Sequence, residues 1–151
     1  MTPSTFSVVA LLLLGCSCQA QSDARILYAI GQVEGGSRLQ RGDSGKALGL
    51  YQTHPEAWAD ANFQLAAEGR QTYPLRQWRD ATAQDMIAAA LLRKTRSRLR
   101  AEGIHFPTPE QLALCWTMGY AGARAIGFSV DHAPPAKASY AQRVGNLSRV
   151  K

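Results

Sequence analysis

Glu34 stands where an acid's charge is disfavoured, at the end of an apolar helical stretch and directly before Gly35-Gly36. Val33 and the preceding apolar face set it at the edge of a core, and the two glycines keep its approach open. Burial penalises the charged form of a carboxyl group and so raises its pKa. An acid kept protonated near neutral pH can donate its proton to a leaving oxygen. The plain alternative is a solvated glutamate, yet at a helix C-terminus its charge opposes the dipole. A second carboxylate, Asp43, lies in Gly42-Asp43-Ser44-Gly45, where ordinary turn chemistry also accounts for it.

The elements that must hold these groups read as helices. Residues 23–34 carry Leu27, Ile30 and Val33 on one face, with Ser22 or Asp23 as cap and Gly35-Gly36 as stop. Residues 37–48 are polar and glycine-rich, with the turn at 42–45 predicting a small hairpin. His54-Pro55-Glu56 begins a second helix, and residues 66–80 give no clear assignment. Thr82 opens a longer helix, with Met86, Ile87, Ala90 and Leu91 on one side. Thr108-Pro109-Glu110-Gln111 predicts a capping box in front of a nearly all-apolar helix that is punctuated by Gly119 and Gly122. A loop over 128–135 precedes a last helix over about residues 136–147. With no repeat and no linker, this is one mainly α domain.

Composition bounds the partners. Seventeen Lys and Arg against eleven Asp and Glu leave a charge of +6, which suits an anionic polymer or surface. Residues 1–20 read as an export signal: Val8 to Gly15 is an apolar run too short to span a bilayer, followed by small and polar residues. Leu13-Leu14-Gly15-Cys16 also resembles a lipobox, so two exits stay open, a free exported protein or one anchored to the membrane through a lipidated Cys16. The mature domain then spans 21–151, periplasmic or extracellular and read as a monomer. Its single cysteine, Cys115, excludes an internal disulfide and reads as a small buried hydrophobe. His54, His105 and His132 lack metal-ligand spacing, so no metal and no cofactor is expected.

Ile30-Gly31-Gln32-Val33-Glu34 is followed, fifteen residues after the glutamate, by Gly49-Leu50-Tyr51-Gln52. The pair resembles the soluble lytic transglycosylases and the wider lysozyme superfamily, where a glutamate at a helix end precedes a small-residue turn and Ala-x-Gly-Leu-Met-Gln. Here that segment is Ala47-Leu48-Gly49-Leu50-Tyr51-Gln52, with tyrosine at the methionine position. Leu112 to Gly122 resembles the family's helix ending in Tyr-Asn-Ala-Gly, and Ser139-Tyr140-Ala141-Gln142-Arg143-Val144 its closing helix. The resemblance implies a lysozyme-like helical domain with a hairpin or loop after the acid. It also implies cleavage of the β-1,4 bond between N-acetylmuramic acid and N-acetylglucosamine in peptidoglycan strands, with Glu34 as general acid/base. Gly49, Tyr51, Gln52 and Tyr120 become the substrate-binding candidates.

Three positions depart from the family pattern. Gly35 replaces its serine, its asparagine has no counterpart in Gly119-Tyr120-Ala121-Gly122, and Asp43 stands in the turn where many lytic transglycosylases have serine. Asp43 bears on the outcome of the reaction. A hydrolytic lysozyme uses a second carboxylate across the scissile bond; a lytic transglycosylase uses one acid and the sugar's own 6-hydroxyl. Invertebrate-type lysozymes, which the segment at 42–47 also resembles, carry an aspartate in this hairpin. Trp58, Trp78 and Trp116 read as core rather than as sugar platforms.

Arg93, Lys94, Arg96, Arg98 and Arg100 place five cations within eight residues, the best sign of another role. They spread over several helix faces without a nucleic-acid motif, so they read as a solvated face that also attracts an anionic wall, and no nucleic-acid partner is expected. The remaining rival is a lysozyme-like envelope protein that binds glycan without cutting it.

Overall fold

A computed structural model describes residues 22–150; the export signal read over 1–20, Cys16 included, lies outside them. The described chain is mainly helical: α1 (22–33), α2 (Pro55–Ala67), α3 (Ala81–Ala101), α4 (Pro109–Ala125) and α5 (Pro135–Arg149). Between α1 and α2 lies an antiparallel hairpin of β1 (Arg41–Gly42) and β2 (Ala47–Leu48), with Arg41 opposite Leu48 and Gly42 opposite Ala47. Asp43–Gly45 closes it as a single 3-10 turn. Among the described residues no helix is long and apolar enough to cross a membrane.

Local chemistry accounts for most helix starts. Pro55, Pro109 and Pro135 occupy first-turn positions, where a missing N–H leaves nothing unsatisfied. Thr108 and Gln111 form the expected capping box, each side chain bonding the other's backbone N–H. α3 begins one residue before Thr82, because the Asp80 carboxylate accepts the Ala83 N–H at 2.7 Å and caps the helix earlier. The stretch between α2 and α3 owes its order to α2. Trp58 Nε1 donates to the Tyr73 carbonyl at 2.6 Å, and the Asn62 amide pairs with both backbone groups of Tyr73.

Two apolar clusters divide the interior. The larger joins Ile26 and Ile30 of α1, Leu92 and Leu99 of α3, Leu112 and Leu114 of α4 and Val144 of α5. The smaller gathers Leu48 behind the hairpin with Trp58 and Leu65 of α2, Trp78, and Ala83 and Ile87 of α3. Trp58 and Trp78 are thus core, and so is Cys115, whose buried thiol is pushed up to about 12. α3 faces both clusters, which makes it the spine between a larger helical lobe and a smaller hairpin lobe.

That central place corrects the reading of the basic run as a solvated face for Arg93, Lys94 and Arg96, while Arg98 and Arg100 are exposed. Arg96 is buried and bonds Asp23 of α1 at 2.7 Å, Arg93 grips Glu68 at 2.7 Å, and Lys94 meets Asp60 of α2 at 2.7 Å. The cations also sort by side. Arg93, Arg96 and Arg100 follow Met86 and Ala89 at helical spacing along one groove, while Lys94 and Arg98 line another. Neighbours on α1 and α2, invisible to local spacing, decide which cations are neutralised.

Candidate functional site

α1 ends at Glu34 through its two glycines. The Glu34 N–H donates to the Ile30 carbonyl at 2.9 Å, and the Gly36 N–H closes back on Gly31 at 2.9 Å. Gly35 (φ +116°) and Gly36 (φ +73°) take left-handed conformations that other residues resist. Gly35 has a second reason to be glycine. Gln40 Nε2 donates to the Glu34 carbonyl at 2.6 Å, and a Cβ on Gly35 would meet the Gln40 amide oxygen at 2.7 Å. The turn after the acid is therefore clamped from the hairpin side.

The carboxyl group of Glu34 is half-buried and is met by α5. Tyr140 Oη donates to Glu34 Oε1 at 2.7 Å, across 106 residues of sequence. Burial pushes the Glu34 pKa above its ordinary value; the Tyr140 hydroxyl and the charge of Lys137 pull it back only in part. Burial beside that carboxylate also pushes the Tyr140 phenol up, so it stays a neutral donor. With Oε1 accepting from Tyr140, a proton on Glu34 belongs on Oε2. The arrangement fits an oriented general acid.

Lys137, one turn before Tyr140, is tied to α4: its Nζ donates to the Thr117 carbonyl at 2.9 Å and to Thr117 Oγ1 at 3.0 Å. α4 breaks at Gly119, which adopts φ +72°, ψ +157° in mid-helix. Thr117 and Gly119 line a concavity of about 390 Å³ between α2, α3 and α4, together with Gln52, His54, Trp116 and Tyr120. Neither Lys137 nor Glu34 is among the residues lining this groove; Lys137 bonds Thr117, which does line it, and its charge acts on Glu34.

The groove brings together Gln52 and Tyr120, two of the four substrate-binding candidates. Gln52 sits at φ +47°, its Nε2 donating to the Gly49 carbonyl at 2.8 Å and its Oε1 against Gly42, where an added Cβ would push the amide away. Tyr120 presents its ring under the Arg98 guanidinium at 5.1 Å, and its hydroxyl donates to Glu102 at 3.0 Å. Tyr51 points the other way. It is buried, its hydroxyl donates to Asp85 at 2.8 Å, and its carbonyl accepts from Trp116 Nε1 at 3.3 Å. Gly49 (φ +73°) is buried against Gln84, whose amide a Cβ would strike at 2.6 Å.

Asp43 has a different environment from Glu34. It lies in the hairpin turn at φ +46°, with its side chain 62 % exposed and His54 Nε2 at 3.5 Å from Oδ2. His54, to which sequence spacing assigned nothing, is therefore shared between this turn and the groove. Tyr140 and Lys137 were missed as site residues too. Only the resemblance of Ser139 to Val144 to a closing family helix marked their neighbourhood. Among the described residues, no group of three or more His, Cys, Asp or Glu is placed to hold a metal. Comparison with family models, with curated proteins and with solved structures finds no match.

Proposed function

We propose that this chain is an exported lysozyme-like enzyme that cleaves peptidoglycan strands by lytic transglycosylation, with Glu34 as acid and then base. The observation that carries the reading is the half-buried Glu34 carboxyl, raised in pKa by burial and oriented by Tyr140. The order of parts adds support: an acid at a helix end, a short hairpin, then helices carrying the segments that resemble the soluble lytic transglycosylases.

In the proposed step, the Glu34 proton passes to the glycosidic oxygen as the bond from the muramic acid C1 to that oxygen breaks. The resulting carboxylate then takes the proton of the muramic acid 6-hydroxyl. That oxygen attacks C1 and closes a 1,6-anhydro ring. Protons balance, and no water enters. Tyr140, donating to the ionised form more strongly than to the neutral one, eases the half-step in which Glu34 carries charge. Gln52, Trp116 and Tyr120 would line the path of the strand. The exposure of Asp43 and its pairing with His54 favour the one-acid route over hydrolysis through a second carboxylate.

The test is product analysis. Purified protein and its Glu34→Gln variant are incubated with isolated sacculi, and soluble fragments are weighed by mass spectrometry. Anhydro-muropeptides from the parent alone support the proposal. Reducing-end fragments would replace it with hydrolysis, and equal, negligible release from both would remove the enzymatic reading.

A further inference from the structure

A second concavity, of about 860 Å³, lies between α1 and α3, on the face of α3 turned away from the groove of Gln52 and Tyr120. Its volume falls in the range of small-ligand sites. From Met86 to Arg100 the α3 residues that line it follow one helical face, a track of roughly 21 Å at 1.5 Å per residue.

Polarity is segregated along that track. At one end the floor is apolar, made by Leu27, Leu50, Met86 and Ala89. The single cation there, Arg38, is neutralised by a two-pronged contact with Asp85 at 2.9 and 3.1 Å, which Tyr51 also joins. Beyond that end α3 contributes Arg93, Arg96 and Arg100, and Arg70 joins them at the level of Arg93 through Glu68. Arg96 is paired with Asp23 and Arg93 with Glu68, whose carboxyl is pulled down to about 2 by Arg93 and so stays ionised. Arg70 reaches Glu68 only at 3.8 Å, and Arg100 has no ion pair among the described residues. Two guanidinium groups therefore keep donors for a ligand in the arginine-lined half of the groove. Tyr28 of α1, 62 % exposed, also lines the groove.

We infer that this groove binds a single-chain anionic amphiphile, its apolar tail on Leu27, Leu50, Met86 and Ala89 and its carboxylate or phosphate head in the arginine-lined half, where Arg70 and Arg100 keep free donors. A uniformly acidic peptide fits less well, since its charges would recur along a track whose far half offers only apolar surface and one neutralised arginine. Planar guanidinium groups suit both head chemistries, because each presents paired donors to paired oxygens.

Isothermal titration of the purified protein tests this with monomeric dodecyl phosphate and dodecanoate, against dodecanol and inorganic phosphate as tail and head alone. Binding of at least one amphiphile is expected, with dodecanol and phosphate each weaker by about tenfold or more. The relative affinity of the two amphiphiles separates a phosphate-headed source from a fatty acid. Replacing both Arg70 and Arg100 by alanine should weaken the amphiphile about tenfold and leave dodecanol unchanged. Ala89→Trp should abolish binding by filling the groove, with circular dichroism confirming that each variant folds. Dodecanol as tight as the amphiphiles would reduce the groove to an apolar sink. Binding unaffected by Ala89→Trp would place it elsewhere. Binding to phosphatidylglycerol vesicles without any to the monomeric amphiphiles would make it a membrane surface instead, and each of these results overturns the inference.

Discussion

Glu34 and Asp43 are nine residues apart in sequence, yet they are held by different kinds of order. Glu34 ends a helix whose apolar face enters the larger core, and its carboxyl is met by a hydroxyl from the last helix of the chain. Asp43 lies in a turn that needs little beyond its own two short strands, and its exposed side chain meets His54 at 3.5 Å. The first environment desolvates an acid and orients it, whereas the second leaves an acid in water. A carboxylate becomes a reagent through what the distant chain does to it more than through its place in a motif.

The largest effect expected is on turnover. Glu34→Gln should lower glycan cleavage by about 10²–10⁴-fold, measured as soluble muropeptide released per unit time. Asp43→Asn should leave the rate close to that of the parent. Equal losses in the two variants would erase the contrast and restore a two-carboxylate mechanism.

The hairpin's anchorage comes next. Gln84 of α3 is buried, and its amide bonds the backbone of Leu50 at 2.8 Å, Arg38 at 2.8 Å and Trp78 at 2.7 Å. Gln84→Leu leaves those groups without partners and should cost about 2–4 kcal/mol in denaturant unfolding. A loss this large would show that the hairpin lobe, for all its local turn chemistry, is fixed by α3. Asp43→Asn touches only an exposed pair and should change stability by less than about 1 kcal/mol.

Smaller effects follow from the raised pKa of Glu34. The folded state holds the proton to a higher pH than the unfolded chain, so stability falls as pH rises from about 4.5 through the folded pKa. Glu34→Gln removes that penalty. The variant should be the more stable protein at pH 8, and the difference should vanish well below pH 4.5. Unfolding midpoints with no pH dependence in their difference would count against a desolvated acid. Tyr140→Phe removes a hydrogen bond that favours the carboxylate, so the Glu34 pKa should rise further and the alkaline limb of the rate profile, where the acid loses its proton, should move to higher pH.

Elements whose order is local were legible. The capping box at Thr108 and Gln111, the hairpin turn at 42–45 and the end of α1 at Gly35-Gly36 each depend on residues within a few positions of one another. The stretch before α3 was illegible for the opposite reason: Trp58 and Asn62 of α2 supply its bonds, and nothing in its own pattern announces them. Arg93, Lys94 and Arg96 of the basic run were misread for the same cause, since Asp23, Glu68 and Asp60 come from outside α3. Tyr51 and Gln52 are neighbours in one motif, yet the backbone turn sends one into the core and the other to the groove.

By itself, then, the sequence determined that Glu34 ends a helix, because apolar period and glycine stop are short-range matters. That the acid is desolvated, that Tyr140 takes one of its oxygens and that Asp43 stays in water were decided by the tertiary structure. Burial and hydrogen bonding depend on which distant surfaces meet, and spacing along a chain carries no record of that.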